Sequence, residues 1–289
     1  MRILFLFALV FSSVDGVFGG VALERLPPKT AFHLYLLIGQ SNMAGRGKQD
    51  PAYAVANDRI LKLTAQGTWE LATEPLHFDS LARAGQTTGL GMSFARTMAD
   101  ADTNTVIGLI PCAVGGTPLS RWVKGGDLYA EAMRRTRLAM KDGALMGILW
   151  HQGENDAMAE QTASTYGARL AKMIADLRND LGAGQTPFVA GKLGDFLQRE
   201  ASPPQYALPF WPEINRQLEA LPQHVPFAAV ADSIDLSCKD DRLHFDTPAL
   251  REFGKRYAKA MLTLQQKMIK HANNREFLSP SDSREFAGR

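Results

Sequence analysis

Apolar and polar positions follow two rhythms along the chain. Short unbroken apolar runs occupy residues 32–38 (FHLYLLI), 106–110 (VIGLI), 145–150 (LMGILW), 187–190 (PFVA) and 227–230 (FAAV). Turn residues bound them, the pattern of strands covered on both faces. Residues 92–101, 128–141, 166–181 and 248–268 instead carry apolar side chains at three- and four-residue steps, which predicts amphipathic helices. Asp246 and Thr247 can cap the last of these, and Pro248 suits its first turn. Strand and helix in repetition predict an α/β fold, a parallel sheet with helices on both faces.

Three stretches depart from that rhythm. Residues 48–89 read as an insertion near the end of the first strand, with a small hairpin at 60–63 and 69–71 around a Gln66-Gly67 turn. Residues 199–212 hold four prolines and form a long loop. Residues 271–289 are polar, lack a periodic apolar face and read as a disordered tail. At the other end, Arg2 precedes an apolar run at residues 3–11, and small and polar residues follow. That order is the signature of a secretory signal over residues 1–19, with cleavage after Gly19 and a competing site at Gly16. The run is too short to span a bilayer, which takes about 20 residues. The expectation is a secreted or periplasmic protein, free of the membrane once the signal is removed, with a single domain over residues 20–270.

Composition narrows the class. Of 289 residues, 32 are Lys or Arg and 30 are Asp or Glu, so the net charge is only +2. There is no basic field for nucleic acid. An apolar fraction of 45% against 21% charged is that of a globular chain. Two cysteines exclude a disulfide scaffold and a four-cysteine zinc site, but they leave one disulfide open.

The candidate chemistry gathers at strand ends. The first strand runs into Gly39-Gln40-Ser41-Asn42-Met43, the second into Pro111-Cys112-Ala113-Val114-Gly115-Gly116-Thr117, and the third into His151-Gln152-Gly153-Glu154-Asn155-Asp156. After the fifth comes Asp241-Arg242-Leu243-His244. In an open parallel sheet these ends form one edge, where ligands bind. Ser41 is a nucleophile only if a base removes its proton, and His244 is the candidate base. Asp241, three residues earlier, can fix the imidazole tautomer.

These ordered blocks resemble those of the SGNH hydrolases, and more closely the sialate O-acetylesterase-like branch that includes acetylxylan esterases of carbohydrate esterase family six. The resemblance covers residues 32–245 and implies a flavodoxin-like three-layer α/β/α sandwich around a central five-stranded parallel sheet. It implies a catalytic set of Ser41, Asp241 and His244, with an oxyanion hole from the Ser41 and Gly116 amides and one side-chain amide. That side chain is Gln152 or Asn155, with Gln152 favoured. Glu154 is the alternative to Asp241 as the acid, or a contact to a substrate hydroxyl. No cofactor and no metal is implied; His151-x-x-Glu154 lacks a further ligand at metal spacing and reads as a packed histidine.

Four further residues sit beside these blocks. Arg46 and Arg121 are candidate substrate contacts or partners in internal ion pairs, and Trp122 and Trp150 are candidate sugar platforms or core residues. Cys112 and Cys238 stand near the same edge, either joined or as buried thiols. The expected function is a secreted serine esterase that removes O-acetyl groups from a carbohydrate, either a glycan such as xylan or O-acetyl sialic acid, through an acyl-enzyme on Ser41. A non-catalytic carbohydrate-binding protein on this scaffold and a lipase or thioesterase of the broader superfamily are the alternatives.

Overall fold

A computed structural model of the chain describes residues 26–53, 55–79, 86–198 and 208–278. The expected signal, most of the proline-rich loop at 199–212 and the end of the expected tail lie outside the described residues. In chain order the main elements are β1 (Phe32–Gly39), α1 (Ser41–Ala44), β2 (Gly47–Lys48), β3 (Ile60–Leu63), β4 (Trp69–Leu71), β5 (Gln86–Thr88), α2 (Gly91–Ala101) and β6 (Val106–Pro111). Then follow α3 (Asp127–Ala139), β7 (Ala144–His151), α4 (Glu160–Ser164), α5 (Tyr166–Asp180), β8 (Phe188–Gly191), α6 (Trp211–His224), β9 (Ala228–Ala231) and α7 (Thr247–Leu278).

The five apolar runs become β1, β6, β7, β8 and β9, all parallel to their neighbours. Their spatial order is β6-β1-β7-β8-β9, the 2-1-3-4-5 winding of flavodoxin-like folds. Side chains alternate between two faces, as the two-residue period of a strand requires. Leu34, Leu36 and Ile38 of β1 pack with α3, α5 and α6. Tyr35 and Leu37 pack with α2 and α7 on the opposite face. The result is the three-layer α/β/α sandwich.

The sheet has seven strands rather than the five expected. The hairpin taken for an insertion extends it: β3 pairs parallel with β6, and β4 lies antiparallel on the edge. Ile60 packs on one face of the sheet and Leu61 and Leu63 on the other, so β3 is a covered strand. Lys62 obscured this, because its charge breaks the apolar run. The side chain is nevertheless buried, and its Nζ donates to the Thr73 and Pro75 carbonyls at 2.9 and 3.0 Å.

Two helices differ from expectation. The periodic reading missed α6, whose buried Ile214, Leu218 and Leu221 do follow helical steps but are flanked by Pro212 and Pro222. The C-terminal helix α7 runs on to Leu278, eight residues into the segment read as a disordered tail. No Gly or Pro interrupts residues 271–278, whereas Pro280 follows soon after. Among the described residues, no helix is long and apolar enough to cross a membrane.

Candidate active site

The site begins where β1 ends against β7. Gly39 is paired with His151 and has φ +134°, and a Cβ there would lie 2.0 Å from the His151 carbonyl oxygen. Only glycine allows this approach. The Gln40 N–H then donates to the same carbonyl at 2.8 Å, and the chain turns so that Ser41 opens α1. Ser41 is 5% exposed, open just enough for its hydroxyl to be met from outside.

The residue that meets it comes from the loop between β9 and α7. This loop is closed by a bridge between Cys238 and Phe245 and by the Lys239 N–H donating to the His244 carbonyl at 2.8 Å. Inside it, Asp241 Oδ1 accepts the Leu243 and His244 backbone N–H groups at 3.1 and 2.9 Å. Asp241 Oδ2 lies 2.9 Å from His244 Nδ1, and His244 Nε2 lies 2.9 Å from Ser41 Oγ. Partial burial opposes ionisation of Asp241, but the bonds from the His244 ring and backbone outweigh it and hold the carboxyl well below its usual range. An ionised Asp241 only accepts, so Nδ1 carries the ring proton and Nε2 is free to accept the Ser41 proton.

Beside the end of β1 lies the loop after β6, whose Val114 N–H donates to the Gly39 carbonyl at 3.0 Å. Gly116 has φ +68°, and the space beside its Cα is open. Among the described residues, neither the Gly116 nor the Ser41 N–H has an acceptor in the protein. The loop is pinned on both sides. On one side the Ala113 N–H donates to His77 Nδ1 and the Gly115 N–H to Asp79 Oδ2, both at 3.0 Å. On the other, Asp156 Oδ2 accepts the Leu119 N–H at 2.8 Å.

The block after β7 divides its work differently from expectation. Gln152 is fully buried, and its Nε2 donates to the Thr117 carbonyl at 3.1 Å and to Asp156 Oδ2 at 2.7 Å. Both of its amide protons are thus used inside the protein, one on the loop after β6 and one on Asp156. Asn155 sits at the rim, where its Nδ2 donates to the Gly116 carbonyl at 3.0 Å. Its second amide proton is not used by that bond. Glu154 does not meet His244; its Oε1 accepts from Asn42 Nδ2 at 2.6 Å and lies 3.5 Å from His151 Nε2. Asp241 is the carboxylate on the imidazole. His151 is fully buried, with Nδ1 3.1 Å from the Tyr257 hydroxyl and ring contacts to Phe245 and Phe253, a packed histidine.

Both arginines are held in ion pairs, the alternative to substrate contact. Arg46 is buried, pairs with Asp79 and donates to the Gly45 carbonyl, so it braces the Gly115 loop. Arg121 pairs with Asp127 of α3. Trp122 and Trp150 are buried edge to face at 5.7 Å and belong to the core. No disulfide joins Cys112 and Cys238: Cys112 packs with the cluster on one face of the sheet and Cys238 with that on the other. The sequence reading assigned no role to Asn42, His77, Asp79 or Asp156. Asn42 and Asp156 lie inside quoted blocks, whereas His77 and Asp79 carry no local signal.

Comparison with known proteins agrees with this architecture. The family model described as carbohydrate esterase, sialic acid-specific acetylesterase, matches residues 31–263. A probable carbohydrate esterase of Arabidopsis thaliana is 33% identical over 256 residues, covering 82% of this chain and 92% of that protein. A solved structure of an Arabidopsis thaliana protein superposes with a TM-score of 0.72 at 30% identity, covering 82% of this chain and 99% of that one. The structure of NanS shares the fold, with a TM-score of 0.64 at 17% identity over 84% of this chain and 100% of that one. The chain belongs to the carbohydrate esterase family of sialic acid-specific acetylesterases, with the SGNH hydrolase fold, and is a carboxylic ester hydrolase.

Proposed function

We propose that this protein is a secreted serine esterase that removes O-acetyl groups from carbohydrates through an acetyl-enzyme on Ser41. The observation that carries the reading is the relay from Ser41 Oγ to His244 Nε2 and from His244 Nδ1 to Asp241, with 2.9 Å at each step. His244 takes the Ser41 proton as Oγ attacks the acetyl carbonyl. Asp241 stabilises the imidazolium that forms. The negative charge on the former carbonyl oxygen meets the Ser41 and Gly116 N–H groups and the Asn155 amide. Collapse of the intermediate breaks the ester bond, and His244 returns its proton to the departing sugar oxygen. Water, deprotonated by His244, then attacks the acetyl-enzyme; as the bond to Ser41 Oγ breaks, His244 returns the proton to that oxygen and acetate leaves.

Secretion rests on the charged, apolar and small-residue order of residues 1–19. The carbohydrate side of the reading draws on the family and on the name of the Arabidopsis relative. The test is acetate release from a panel of acetylated polysaccharides, acetylated xylan among them, and O-acetyl sialic acids, with Ser41→Ala as control. Simple acetate, butyrate and octanoate esters run alongside. Acetate release that depends on Ser41, with hydrolysis of the simple esters falling as the acyl chain lengthens, is the expected result. Hydrolysis confined to long acyl esters would overturn the substrate class.

A further inference from the structure

Behind the Ser41–His244 contact lie two polar side chains that touch no reacting atom. Asn42 is 2% exposed and Glu154 3%. The Asn42 amide oxygen accepts one hydrogen bond, and both of its amide protons are donated. Its Oδ1 accepts the Phe245 N–H at 3.1 Å, and its Nδ2 donates to the Leu243 carbonyl at 3.3 Å and to Glu154 Oε1 at 2.6 Å. Leu243 and Phe245 are the two neighbours of His244, so Asn42 grips the backbone on both sides of the imidazole.

An amide fits such a slot in two orientations of the same shape, which differ only in where the donors lie. The Phe245 N–H only donates, and an ionised Glu154 only accepts. Together they admit a single orientation. Burial opposes ionisation of Glu154, but His151 and the Asn42 amide outweigh it and hold the carboxyl below its usual range. His151, itself held by the Tyr257 hydroxyl, faces the same carboxylate oxygen at 3.5 Å.

We propose that Glu154 is a positioning residue: by fixing the Asn42 amide it sets the His244 loop at the distance from Ser41 that proton transfer needs. This rests on the reading of Ser41 as nucleophile and His244 as base. It gives the buried carboxylate of the His151-Gln152-Gly153-Glu154 block a role that is neither the triad acid nor a substrate contact. Small errors in the placement of a base cost rate and leave binding of a small ester unchanged.

The test is a charge exchange across the contact, read with p-nitrophenyl acetate. Asn42→Asp sets two carboxylates against each other and should lower kcat about 100-fold, with KM within about twofold. Glu154→Gln keeps an oxygen for Asn42 and should cost at most about tenfold. The double variant Asn42→Asp/Glu154→Gln restores a donor opposite an acceptor and should recover at least about tenfold over Asn42→Asp. A double variant no faster than Asn42→Asp, or a loss that resides in KM, would overturn the proposal. Should Asn42→Asp not fold, Glu154→Ala serves in its place: it should be at least about tenfold slower than Glu154→Gln, and equal rates would overturn the proposal. Wild-type turnover that survives Ser41→Ala would instead sink the reading of the site itself.

Discussion

Asp241 holds His244 at two points: Oδ1 accepts the His244 backbone N–H at 2.9 Å, and Oδ2 lies 2.9 Å from its ring Nδ1. One short side chain therefore fixes both the loop and the tautomer. Asp241→Asn should lower kcat for p-nitrophenyl acetate by roughly 100- to 10,000-fold, because an amide can hold the ring in the wrong tautomer. Glu154→Gln should lose at least about tenfold less, since Glu154 does not reach the imidazole. Equal losses would make Glu154 the acid partner.

The depressed Asp241 carboxyl has a consequence for pH. It stays ionised as the solution is acidified, so Asp241 should add no step to the acid limb of kcat/KM. A rate that falls with the square of proton concentration would contradict this.

The two side-chain amides beside the Gly116 loop should separate by what they lose. Asn155→Ala should lower kcat about 100-fold or more with little change in melting temperature, as expected for an oxyanion donor. Gln152→Ala removes two buried hydrogen bonds and should cost about 1–3 kcal/mol of stability, read as a lower urea midpoint.

Much of this was legible in the chain. The five apolar runs located the parallel strands, and four polar blocks at their ends located the working edge. What escaped was long-range and physical. Lys62 hid that the 60–63 strand is covered and joins the main sheet, because a buried lysine satisfied by the carbonyls of Thr73 and Pro75 looks like a surface residue in sequence. His77 and Asp79 are recognisable only once the fold sets them against Ala113 and Gly115, 36 residues away. Gln152 and Asn155 could not be ranked from spacing, because the choice depends on which amide already has acceptors.

His77 predicts an acid-sensitive brace. Burial lowers its pKa from 6.5 to about 3, so the folded protein keeps it neutral where the unfolded chain would protonate it. Its contribution is whole above pH 6.5 and is lost as pH falls toward about 3. Each pH unit in that window removes up to about 1.4 kcal/mol. Urea midpoints of the wild type should fall across the window more steeply than those of His77→Gln. Parallel slopes would contradict the assignment.

The cysteines should behave as two separate thiols. Without reductant, the denatured protein should titrate two thiol groups. In the native state Cys112 should resist alkylation at mildly alkaline pH, because burial pushes its thiol up to about 12. A denatured protein with no free thiol would instead require a disulfide between the two faces.

The central claim is that Ser41 is the nucleophile, and the rate of p-nitrophenyl acetate hydrolysis by Ser41→Ala tests it most directly. With the fold intact by circular dichroism, the account predicts a loss of kcat of at least about 10,000-fold against the wild type. A folded Ser41→Ala protein that hydrolyses the ester at the wild-type rate would contradict it.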